Sequence, residues 1–178
     1  MTTAWTRPTM ATQYDEPGAP QGEEMSNIPW DSSLNFEQLY YGIGGALVTT
    51  DRLQHIARSP KYDLRNKTYF VAVSGFNFQN LPTTLSGISL RLTANRRGRV
   101  TDETVQLALG SNLIGDNRAG INLDPIQVYG GSGDLWNTNL SIADVSNSNF
   151  GVVLRFQAHP FYPHRDAMYL DAVELQIY

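Results

Sequence analysis

Period-two alternation of apolar and polar residues runs through the second half of the chain. Phe150, Val152, Leu154, Phe156 and Ala158 alternate with Gly151, Val153, Arg155 and Gln157, the signature of a half-buried strand. Val173, Leu175 and Ile177 alternate in the same way with Glu174 and Gln176, close to the end of the chain. Met168 and Leu170 fall on the opposite parity, which a bulge near Asp171 and Ala172, or burial of both faces there, would explain. Upstream, Ile88, Leu90, Leu92 and Ala94 face one way and Ser89, Arg91 and Thr93 the other, while Val105, Leu107 and Leu109 mark the core face of a further strand. The β-branched and aromatic run from Thr68 to Val73, a short segment at Leu113 and Ile114, and Ile126 to Tyr129 complete the strands expected there. Glycine and asparagine cluster between them, at Asn95 to Arg99, Gly110 to Asn112 and Gly130 to Gly133, as turns require. One helix is expected, a turn or two before Asn147, because Ser141 and Asp144 stand at capping-box spacing.

These elements predict an all-β fold, an antiparallel β-sandwich of the jelly-roll or Ig-like kind over residues 67–178, with a closed barrel as the alternative architecture. Residues 1–35 lack a sustained period and carry Pro8, Pro17, Pro20 and Pro29, so they are expected to form an extended N-terminal arm. Trp5, Tyr14, Ile28 and Trp30 are spaced through this arm, and they are the expected anchors on a surface of this chain or of a neighbour. The sandwich is expected to fold without the arm. Residues 36–66 read as an irregular connection, with a short strand from Gly45 to Thr50.

The composition adds two constraints. Charged residues make up only 17% of the 178, below the ~25% usual for soluble domains, and Ser, Thr, Asn, Gln and Gly stand in their place. Such surfaces suit coverage by other chains. The net charge of −4 gives no basis for binding nucleic acid or an anionic membrane. With no cysteine, disulfides, thiolate catalysis and cysteine-based zinc sites are excluded. No apolar run reaches the ~20 residues of a membrane span, and the N-terminus lacks the apolar core of a signal peptide, so synthesis in a cytoplasm is expected.

Reactive side chains are densest in the loop from His159 to Asp166. His159, His164 and Asp166 are the residue types that bind zinc or iron, but two prolines stiffen the loop and a third strong ligand is doubtful, so no metal or cofactor is expected. Phe161, Tyr162 and His164 form a candidate surface for a ligand or partner. Arg96, Arg97 and Arg99, grouped around Gly98, could grip a carboxylate of another subunit, for example Glu23 or Glu24. Trp136, Tyr129, Phe161 and Tyr162 could stack on a sugar, although core or interface burial is the simpler reading. The run Gly130 to Asp134 lacks the Gly-Lys-Ser/Thr end of a phosphate loop, no serine sits in a nucleophile elbow, and Asp116, Asp124 and Asp134 are scattered acids. Nothing in these patterns points to an enzyme.

Six segments together resemble a group of small β-sandwich proteins from the structural modules of tailed bacteriophages. They are Val73 to Phe78 (VSGFNF), Leu81 to Ile88 (LPTTLSGI), Val105 to Leu107 (VQL), Tyr129 to Trp136 (YGGSGDLW), Ala143 to Val152 (ADVSNSNFGV) and Leu170 to Tyr178 (LDAVELQIY). They run in that group's order over residues 70–178, and the chain departs from its pattern at Asn137, where glycine is more frequent, and in the long His159–Asp166 loop. The resemblance implies a non-enzymatic virion component. Its partners would be other virion structural proteins, major capsid or tail subunits, and further copies of itself. A head-decorating or cement protein is the leading expectation, with a neck, tail or baseplate component next and a carbohydrate-binding adhesion module as an alternative of another class.

Overall fold

Strands with an apolar residue at every second position carry one apolar face each, and two sheets stacked face to face bury those faces together. A computed structural model of the protein has this architecture and describes residues 2–14, 67–68, 70–97, 100–121, 124–158 and 167–178. The elements among them are β1 (Met10–Tyr14), β2 (Phe70–Ser74), β3 (Ile88–Arg97), β4 (Val100–Leu109), β5 (Asn112–Ile114), β6 (Ile126–Gly131), α1 (Ile142–Val145), β7 (Phe150–Ala158) and β8 (Ala167–Ile177). One sheet has the order β1-β2-β7-β4-β5 and the other β6-β3-β8, with every pairing antiparallel. The expected all-β sandwich is therefore what the chain forms.

β7 is the central strand of the larger sheet. Its Val152 lies between Val73 of β2 and Leu107 of β4, and Phe150, Val152, Leu154 and Phe156 are all fully buried. Opposite them, Leu90 of β3 lies between Tyr129 of β6 and Leu175 of β8. Gly151 is needed for the tight approach of β7 to β2, since a Cβ there would overlap the Val73 carbonyl.

The change of parity in β8 is a bulge. Thr93 pairs with Ala172 and Ala94 with Leu170, so Asp171 is left over, and Leu170 turns inward along with Val173, Leu175 and Ile177. A second bulge, not anticipated, leaves Glu103 unpaired between Asp102 and Thr104 of β4. α1 is a single turn closed by the expected capping box. The Ser141 hydroxyl accepts from the Asp144 amide at 3.2 Å, and the Asp144 carboxylate accepts from the Ser141 amide at 2.8 Å.

The N-terminus departs from expectation. Residues 2–14 are not an arm beside the sandwich but part of both its sheets. Thr3 and Thr6 donate backbone hydrogen bonds to Ile177 and Leu175 of β8 at 2.9 and 2.8 Å, and after Pro8 the chain crosses to the other sheet, where β1 pairs with β2. The physical reason is that β8 and β2 would otherwise present unpaired backbone groups at adjacent edges, and one extended segment satisfies both rows. β1 and β2 are thus neighbours in the sheet although residues 15–69 lie between them in the chain. The remainder of the expected arm, residues 15–35, and the expected strand from Gly45 to Thr50 lie outside the described residues.

Two stability measurements check this arrangement. Leu154→Ala should lower the free energy of unfolding by about 2–5 kcal/mol in a denaturant titration, as a large-to-small change at a fully buried position. Removing residues 1–14 should lower the thermal midpoint and promote aggregation through the uncovered edges. An unchanged midpoint would mean that this segment contributes nothing to the sheets.

Candidate functional site

The inward face of the sandwich is apolar until one end, where it becomes polar. Arg96 continues the inward parity of Ile88, Leu90, Leu92 and Ala94 on β3, and Asp102 faces it from β4 in the opposite sheet. Their side chains are 3% and 0% exposed, and Arg96 Nη2 donates to Asp102 Oδ1 at 2.6 Å. The same nitrogen donates to Gln127 Oε1 at 3.1 Å, and Nη1 donates to the Asp124 carbonyl at 3.1 Å. The Tyr129 hydroxyl lies against Asp102 Oδ2 and Gln127 Oε1 and gives its one proton to either.

Burial pushes the Asp102 carboxyl above the usual carboxylate range, while the Tyr129 hydroxyl and the Arg96 guanidinium hold it back. Burial, followed by the adjacent Asp102 carboxylate, pushes the Tyr129 phenol well up, so it stays a protonated donor. The Arg96 guanidinium, an acid held against it and a phenol that keeps its proton make a fixed link between sheets. Arg96 is thus not available to grip a partner's carboxylate, as the sequence suggested. Arg97 ends β3, and Arg99, Glu23 and Glu24 lie outside the described residues.

The scattered acids are partly gathered. Arg118 Nη2 lies 2.8 Å from Asp134 Oδ1 and 3.9 Å from Asp116 Oδ2, with its guanidinium 5.9 Å from the Trp136 ring centroid. Trp136 is fully buried, and its indole N–H donates to the Ile88 carbonyl at 2.9 Å. Gly130, at φ 76°, stands where a Cβ would come within 2.6 Å of that indole nitrogen. Trp136 itself has φ 57° and Asn137 φ 55°. Asparagine tolerates this left-handed backbone, and glycine takes it more readily still. With Trp136 in the core and Tyr129 in the intersheet link, neither presents a face to a sugar. Phe161, Tyr162, His159, His164 and Asp166 lie outside the described residues, among which no group of three metal-ligating side chains occurs.

Two of the four expected anchors settle on this chain's own sandwich. The Arg91 guanidinium lies 4.4 Å from the Trp5 ring centroid, and Arg91 in turn pairs with Glu174 at 2.7 Å. Arg7 reaches the same carboxylate at 3.3 Å. Tyr14 stacks on Phe70 with centroids 5.1 Å apart. Ile28 and Trp30 lie outside the described residues. Between residues 2–7 and the segment Asn77–Asn80 is an open cleft of about 420 Å³, lined by Trp5, Arg7, Asn77, Gln79 and Asn80 among others.

The least expected surface is at β6. Gln127 and Tyr129 turn inward to the polar link, so Ile126 and Val128 turn outward and are 59% and 56% exposed. Nothing in the sequence pattern marks this reversal, since Ile126 and Val128 look like core positions until their inner partners are known. Comparison with protein-family models, curated proteins and solved structures finds no match. No helix among the described residues is long and apolar enough to cross a membrane.

Arg96→Ala leaves Asp102 buried without its cation and should cost about 3–5 kcal/mol, whereas the double change Arg96→Met with Asp102→Leu should recover most of that loss in the same denaturant titration. A second test concerns the bulge residue Glu103. Burial raises its pKa, but the Lys67 ammonium at 2.7 Å, the Thr104 hydroxyl and Arg155 outweigh this and hold it below the usual value. A depressed carboxyl stabilises the fold above its unfolded-state pKa and loses that contribution as pH falls through the folded-state one. Lys67→Met should therefore lower the unfolding midpoint at pH 7, and the difference from the parent should shrink as the solution is acidified below the normal glutamate range.

Proposed function

We propose that the chain is a non-enzymatic structural protein of a tailed-bacteriophage virion, bound to other virion subunits, with head decoration or cementing as its first assignment and a neck, tail or baseplate position as its second. The observation that carries this reading is that the segments bearing the resemblance act as one physical unit. Ile88, Gly130, Asp134 and Trp136 come from two of the six segments and meet around one indole, whose backbone N–H also bonds Asp134 Oδ1 at 2.7 Å. Gly151 and Val73, from two others, form the closest backbone approach of β7 to β2. The step from fold to virion is by analogy, because a sandwich hosts many functions.

A polar, weakly charged surface with outward aliphatic residues supports a subunit-binding role over a catalytic one. The test is a cryo-EM map of the intact particle that encodes this chain. The sandwich should fit density on the particle, and its absence from purified virions would overturn the reading.

A second reading, glycan adhesion, is favoured by one specific observation: Trp5 lines a cleft beside the amides of Asn77 and Gln79, the side-chain types that bind sugar faces and hydroxyls. A glycan array separates the two. Binding that is lost in Asn77→Ala with Gln79→Ala would favour adhesion, and a blank array would leave the virion-contact reading alone.

A further inference from the structure

β6 is the outermost strand of its sheet, and among the described residues it pairs only with β3. The Ala94 amide donates to the Pro125 carbonyl at 2.8 Å, which sets the phase of the ladder. In an antiparallel pair alternate residues turn their backbone groups the same way, so 125, 127 and 129 address β3, while Ile126, Val128 and Gly130 aim their N–H and C=O groups at the open side. The side chains of the first two are the exposed aliphatic ones. Edges of this kind are normally blunted by charge, proline or a covering element. β6 has no charged residue from Ile126 to Gly131, and Pro125 protects only its start.

We propose that two copies of this chain associate through β6, strand antiparallel to strand about a two-fold axis at Val128, joining two three-stranded sheets into one. The register follows from the sequence of the strand. With Val128 opposite Val128 of the second copy, Ile126 falls opposite Gly130, which presents no side chain on the outward face because even a Cβ there would point inward at the Ile88 carbonyl and the Trp136 indole, and the open-side backbone groups of all three residues find partners. Charge supports the same arrangement. Asp124 falls opposite Ser132, and the two copies' Asp124 residues stand eight positions apart, about 27 Å along the strand, so no like charges meet. A parallel pairing would bring them side by side.

The contact is a short strand edge with two aliphatic side chains from each copy. That is below the ~1,200–2,000 Å² of a stable interface, so the dimer is a weak one, in the micromolar-to-millimolar range. This inference stands on β6 alone and does not depend on the virion reading.

Sedimentation velocity of the purified full chain tests it over a concentration series up to ~1 mM. The weight-average mass should rise from monomer toward dimer, and Val128→Lys should weaken association at least tenfold without shifting the melting temperature. The chain has no cysteine, so a single introduced thiol reports the register. Val128→Cys should give an oxidised dimer, because residues facing each other across a hydrogen-bonded pair have Cα atoms about 5.5 Å apart, within disulfide reach. Ile126→Cys should not, because its counterpart is about 13 Å away along the strand. A chain that stays monomeric throughout, a Val128→Lys protein that associates as well as the parent, or Ile126→Cys crosslinking as readily as Val128→Cys would each overturn the proposal. In the first case the edge would be left for a strand of a different protein.

Discussion

The ion pair between Arg96 and Asp102 shapes much of what surrounds it. Two charges enclosed between sheets are costly unless their remaining hydrogen-bonding capacity is met, and here Gln127 and Tyr129 meet part of it. Both lie on β6, so that strand must turn its polar residues inward. A strand has only two faces, and Ile126 and Val128 are therefore directed outward. The surface aliphatics of β6 are thus a consequence of how one end of the core is closed.

At the open edges a different constraint acts. Sheets that are not closed into a barrel expose rows of backbone donors and acceptors. Residues 2–14 cover two of these rows, first on β8 and then on β2, and Trp5 and Tyr14 pack against Arg91 and Phe70 of the sheets they join. The β6 edge receives no such cover from the described residues. β1 and β5 are open edges of the other sheet, but of the three only β6 carries two outward aliphatic side chains that are more than half exposed, which is why the proposed self-association falls there.

Trp136 illustrates how one buried side chain organises the turns around it. Its indole fills one end of the sandwich and bonds the first residue of β3, while the turn that delivers it needs Gly130 and a left-handed backbone at 136 and 137. A buried aromatic of that size constrains two glycines, Gly115 and Gly130, and one strand end together.

The sequence by itself determined the class of fold, most of the strands, the change of parity in β8 and the cap of α1, because each rests on local alternation or on residues within one turn. Leu170 against Val173 is one such case, and Ser141 with Asp144 is another. Only the tertiary structure decided that Arg96 is enclosed, that Asp116 and Asp134 share Arg118, that residues 2–14 belong to the sheets, and that the aliphatics of β6 face out. Each of these depends on which strand comes to lie beside or opposite another. An arginine on the inward parity looks like a solvated turn residue until the acid that meets it from the other sheet is known, and that acid's facing is shifted by a bulge at Glu103. Pairing across sheets is set by burial summed over the whole chain, and no local period records it.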